Sequence, residues 1–214
     1  MHDKKWTHAA WMAIGAAALT PANVLLSFVA DLTSRRGPGI AVTATQTVRV
    51  DLVIALLAVI VGASAATLSL IALYRFRELL NERYAYHGID ALVTFAIIAI
   101  AVLTFVSIGG RMAMALLGVG ENAIGVAIVF VIPIMLLGVA IGIVSIVLGF
   151  RLFSLENDLQ HLIRPYAVVS IIGGACFALI VLAPLGMLLL IAENILLALT
   201  FFRAGESEPT LEYV

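Results

Sequence analysis

The sequence predicts an all-α fold, a polytopic transmembrane helical bundle of six spans, and three observations predict it. Hydrophobic residues make up 63% of the 214-residue chain and charged residues only 12%, with a mean hydropathy of +1.16. A soluble domain carries about 25% charged residues. The deficit is also uneven, because long apolar stretches alternate with short charged ones, and about 20 apolar residues suffice for a helix to cross a hydrocarbon core of roughly 30 Å. Finally, Trp6, Trp11, Tyr74, Tyr84, Tyr86 and Tyr166 fall at or near the ends of those stretches, where amphipathic rings meet the headgroups.

The spans are placed at about 9–30, 52–74, 91–117, 122–149, 166–183 and 186–202, forming one domain over residues 1–204 with a polar tail at 205–214. Of the 25 charged residues (12 basic and 13 acidic), only Arg111 and Glu193 fall within a span.

The first span follows Lys4 and Lys5 and so resembles a signal peptide at its start. Its apolar stretch of 22 residues exceeds the usual 7–15-residue core of such a peptide, and Phe28 spoils the small-residue pattern before Ala30. It is read as a retained helix. Loop 31–51, "DLTSRRGPGIAVTATQTVRVD", joins a Gly-Pro-Gly turn to alternating Val and Thr, which suggests a short strand pair. Downstream of the second span, "RFRELLNERY" reads as a helical extension. "RLFSLENDLQHLIRP" spaces Leu152, Leu155, Leu159 and Leu162 as a helix would, with Pro165 starting the next span.

Residues 166–202 carry no charge except Glu193 and are too long for a single crossing. "LAPLGM" offers a break, since Pro184 suits a helix start and Gly186 a turn. The rival is a five-span chain with one tilted helix from 166 to about 192. Basic residues favour six spans. A cytoplasmic N-terminus then puts Lys4, Lys5, Arg75, Arg77, Arg83, Arg151, Arg164 and Arg203 inside and Arg35, Arg36, Arg49 and Arg111 outside, against seven to five for five spans. Both termini are thus expected in the cytoplasm of a multi-pass cell-membrane protein.

Two loop segments, "FRELLNERYAYH" (76–87) and "FRLFSLENDLQH" (150–161), match at Phe, Arg, Glu and His with an offset of 74. Duplication of a two-helix hairpin is one reading. The other is coincidence, since such loops draw on the same few residue types. Glu121-Asn122 and Glu193-Asn194 follow the two hairpins at an offset of 72.

Little catalytic chemistry is legible. A net charge of −1 gives no footprint for nucleic acid, and lone Cys176 reads as a packing residue. Intramembrane haem needs His at depth, but His2, His8, His87 and His161 all lie in the tail or loops. No cofactor is expected. Both lysines are N-terminal, and no zinc helix, nucleophile elbow or phosphate loop occurs. His87 and His161 with Glu82 and Glu156 read as solvated helix-end groups rather than a metal or proton site.

Two sets of residues stand out. Gly138, Gly142, Ser145 and Gly149 fall on one small-residue face of the fourth span, which suits close helix packing, within the bundle or against another copy or protein. Glu193, Asn194 and Arg111 are the intramembrane polar candidates. Arg111 is read first as an interfacial anchor within snorkelling reach of the headgroups. Glu193, about 10 Å below the outer surface when counted from Gly186, is expected to be protonated or paired with Arg111. The preferred expectation is a non-enzymatic bundle, a small component of a membrane assembly whose certain partner is the bilayer. The alternative is a small transporter with a path near Glu193, followed by a lipid-modifying enzyme. A cavity reaching Glu193 favours transport, and a solid core with a lipid-facing Gly stripe favours assembly.

Overall fold

The computed structural model describes residues 3–34, 44–117, 122–155 and 160–206. Among these residues the chain is all-helical, without strands: α1 Asp3–Ser34, α2 Ala44–Tyr84, α3 Asp90–Leu117, α4 Asn122–Phe153, α5 Gln160–Ala178 and α6 Ala183–Glu206. All six are long and apolar enough to cross a membrane. Helices α1 and α4 continue through Pro21 and Pro133.

Each helix packs on its sequence neighbours, and α6 returns to pack on α1, so the six close a ring. Their directions alternate. At one end Lys5 of α1 meets Glu78 and Glu82 of α2, Arg83 donates to the Ala204 carbonyl of α6, and the Tyr86 hydroxyl reaches the Arg151 carbonyl of α4. The beginning of α1 and the end of α6 therefore share this end of the ring, called here the termini end.

The distribution of side chains is that of a bundle in lipid. Large apolar groups point outward around the ring, including Leu25, Ile60, Phe105 (79% exposed), Val129, Leu136 and Leu188. Much of what is buried is small: Ala9, Ala10, Ala13, Ala16, Ala58, Ala72 and Ala167, with Ser170, Asn194 and Thr200. Lipid tails solvate Leu and Phe as well as a protein core does, so away from the aromatic end much of the inter-helix contact falls to small and polar residues that permit close approach.

The small-residue face of α4 meets α5. A Cβ on Gly142 would stand 2.5 Å from the Gly174 carbonyl oxygen, and one on Gly149 would stand 2.7 Å from that of Ala167. Ser145 faces Gly174 and accepts from Ser170 through its carbonyl at 3.4 Å. Gly138 differs, with nothing within 4 Å of a Cβ placed there.

Several sequence expectations need correction. Residues 44–51 of the Val/Thr stretch are the first turns of α2, so the strand pair is not formed there; Gly37, Gly39 and their neighbours lie outside the described residues. The last two spans are separate helices, which removes the single helix of the five-span reading. Their break falls at Leu179–Leu182, earlier than "LAPLGM", with Ile180 at a φ of 39°. Pro184 sits at the start of α6, as its missing N–H favours, but Gly186 is helical and admits the Phe177 ring of α5, 3.2 Å from where its Cβ would be. The stretch 150–165 is not one helix, because α4 ends at Phe153 and α5 begins at Gln160, leaving Pro165 inside α5.

The two matched loop segments occupy unlike settings. Phe76 is 1% exposed and packs on Tyr166, whereas Phe150 is 63% exposed. Arg77 lies seven residues before the end of α2 (84 − 77) and Arg151 two before the end of α4 (153 − 151). A five-residue difference exceeds one helical turn.

Candidate functional site: a cavity inside the ring

The termini end of the ring is filled. Trp6 stacks on Phe201 with ring centroids 6.2 Å apart, Phe76 packs against Tyr166 at 5.3 Å, and Leu79, Leu80, Ile89, Val93, Leu152 and Ile163 complete the plug. A polar collar surrounds it. Asp90, at the start of α3, accepts from Arg77 at 2.7 Å and Asn81 at 2.8 Å, and lies 3.2 Å from His87. A carboxylate at a helix N-terminus is also favoured by the backbone dipole.

Beyond Tyr166 and Leu197 the ring is not filled. A cavity of about 530 Å³ opens there, lined by residues of all six helices. Its walls are mostly apolar, with Val24, Val59, Leu103, Ile141, Phe177 and Leu190 among them, and Gly138 borders it. Small residues on α2, including Ala58, Ala66 and Ser69, line that side of the ring, and Gly62 takes the Asn23 side chain, 3.0 Å from where its Cβ would be.

Both Glu193 and Asn194 line this cavity. Glu193 lies ten residues into α6 (193 − 183), or about 15 Å from its start at helical rise. This is deeper than counting from Gly186 implied, because the helix begins at Ala183. Its carboxyl group lies near the Ser170 hydroxyl of α5 and occupies the room left by Gly173, where a Cβ would stand 3.2 Å from Oε1. Among the described residues no basic side chain pairs with it. Asn194 is 5% exposed and donates to the Leu190 carbonyl one turn back at 3.0 Å. Arg111 belongs to α3, which does not pack on α6; its side chain lies outside the described residues, as does Glu121.

Sequence reasoning missed the rest of the polar lining. Thr20, Asn23 and Ser27 of α1 fall at i, i+3 and i+7, so one helical face carries all three into the cavity. Thr104 and Ser107 do the same from α3. The spacing was there to be found, as polar residues repeating along one face of an otherwise apolar helix. Thr20 and Thr104 bond back to the Ala16 and Ile100 carbonyls, each at 2.8 Å. Asn23 Oδ1 and Ser27 Oγ are buried and have no partner. Buried polar atoms are nearly always satisfied; these two are exceptions, enclosed by neighbouring protein atoms rather than open to the cavity.

The loop groups do not assemble a site. Glu82 is held by Lys5 and His87 by Asp90, while His161 is exposed at the start of α5; Glu156 lies outside the described residues. Among the described residues no three His, Cys, Asp or Glu side chains gather as a metal site would require. Comparison with protein-family models, curated proteins and solved structures finds no match for this chain.

Proposed function

We propose that the chain is a non-enzymatic membrane protein that takes up a small, mostly apolar molecule within the bilayer, a small transporter rather than a passive assembly component. The observation that carries this reading is the cavity reaching Glu193 and Asn194. Its volume of about 530 Å³ lies within the roughly 300–1,000 Å³ of ligand pockets, and apolar walls with a few polar groups are their usual lining. A bundle serving only as scaffold has no use for a hollow interior, which forfeits packing contacts. The small-residue face of α4 is taken up by α5, leaving α4 mainly large apolar side chains to offer another protein.

The sequence sorts its basic residues eight to four between the two sides of the six-span topology, and on that asymmetry the plugged end faces the cytoplasm of a cell membrane. The cavity then lies nearer the outer side. Entry is from that side or from the bilayer, and passage requires the aromatic plug to part.

Binding of the neutral dye N-phenyl-1-naphthylamine to protein in lipid nanodiscs tests this reading, with energy transfer from Trp6 and Trp11 as the signal. A saturable component is expected above that of empty discs. Gly138→Phe should abolish it, because Gly138 borders the cavity with open space at its Cβ. Purely non-saturable partition by the wild type, equal to empty discs, contradicts the proposal.

A further inference from the structure

Resting on the cavity reading above, we infer that the ligand is an organic cation, an apolar body bearing a positively charged head that docks on Glu193.

The lining decides the sign of the ligand. Among the described lining residues there is one carboxyl group, Glu193, and no Lys, Arg or His. An anionic head would find no counter-charge there, and desolvating a charge without a partner is prohibitive in a low-dielectric interior. A cationic head finds a carboxyl group that lines the cavity and has no basic partner among the described residues. The described basic residues cluster with their own acids at the termini end, Lys5 with Glu78 and Glu82, and Arg77 with Asp90. The plug of Phe76, Tyr166 and Leu197 separates them from the cavity.

One further feature fits the same ligand. The apolar walls accommodate hydrocarbon but would reject a small hydrated ion, whose water shell they cannot replace. A hydrophobic amine, quaternary ammonium or phosphonium meets all these conditions.

The test compares tetraphenylphosphonium with tetraphenylborate, two ions of one shape and opposite charge. Each competes with N-phenyl-1-naphthylamine for the protein in nanodiscs. The phosphonium should displace the dye saturably and the borate should not. Glu193→Gln should weaken the phosphonium at least tenfold more than it weakens the neutral dye, and Glu193→Asp, which keeps the charge, should retain a preference for the cation. Equal phosphonium affinity in wild type and Glu193→Gln, or equal affinity of the two ions for the wild type, overturns the ligand class. If the dye binds saturably in either of those cases, the cavity reading survives and only the cation assignment fails. If the dye also binds no better than to empty discs, both fail.

Discussion

A carboxamide fits where the Glu193 carboxyl group lies, since Gly173 leaves the same space for either and no basic side chain among the described residues pairs with it. Glu193→Gln should therefore accumulate in the membrane at close to the wild-type level. Glu193→Lys should not. A lysine near the middle of a membrane helix costs about 2.5–3.5 kcal/mol to insert, and it has no acid to face among the described lining residues. Quantitative blotting of membrane fractions separates the two, and normal accumulation of Glu193→Lys would place the side chain at an interface instead. A second residue-scale expectation concerns Ala85, which follows α2 at a φ of 48° while the Tyr86 N–H returns to the Leu80 carbonyl at 3.2 Å. The left-handed region costs an L-residue roughly 1–2 kcal/mol, partly offset by the extra freedom glycine loses. Ala85→Gly should raise stability by about 0.5–1 kcal/mol, read as a higher melting midpoint in detergent.

At the scale of elements, the α4–α5 contact depends on missing Cβ atoms. Gly142 and Gly174 face each other so closely that a Cβ on either would stand 2.5 Å from the other's carbonyl oxygen. Gly142→Leu should force the helices apart and destabilise by about 1–3 kcal/mol, the usual range for overpacking. Gly138→Leu, four residues earlier on the same helix, should be tolerated because its Cβ meets open space. Paired thermal melts check the contrast, and equal losses for the two variants would mean that the face is packed along its whole length.

The same pair shows what the sequence could say. Spacing put Gly138, Gly142, Ser145 and Gly149 on one face, but spacing cannot reveal that the neighbouring helix ends its contact short of Gly138. Helix existence was legible because lipid imposes a length and excludes charge. Helix ends were not, since a tight turn such as Leu179–Leu182 can be built from apolar residues when one of them, Ile180, accepts a positive φ. Glu193 was legible as an oddity in an apolar run. Asn23 and Ser27 were passed over because single Ser, Thr and Asn residues in membrane helices so often bond to their own backbone, as Thr20 and Thr104 do here.

For the whole molecule, a closed ring of six alternating helices brings the start of α1 and the end of α6 to one side. Reporter fusions at Gly37 and Gly205 should register opposite faces of the membrane, with Gly205 cytoplasmic. Finding both on one face would be incompatible with the six-helix ring in a bilayer. The ring also explains why so apolar a chain buries so many alanines: outside the aromatic plug, large side chains such as Leu25, Phe105 and Leu136 face outward and the interior is partly empty.

That emptiness is the central claim, and photolabelling with a small neutral diazirine probe tests it most directly. Protein in nanodiscs is irradiated with the probe, and the modified residues are mapped by mass spectrometry. The account predicts saturable labelling of inward-facing positions, Asn23, Ser27, Thr104, Ser107 and Leu190, reduced by tetraphenylphosphonium and lost in Gly138→Phe. Labelling confined to the outward-facing Leu25, Phe105, Leu136 and Leu188, rising linearly with probe and indifferent to competitor, would contradict it.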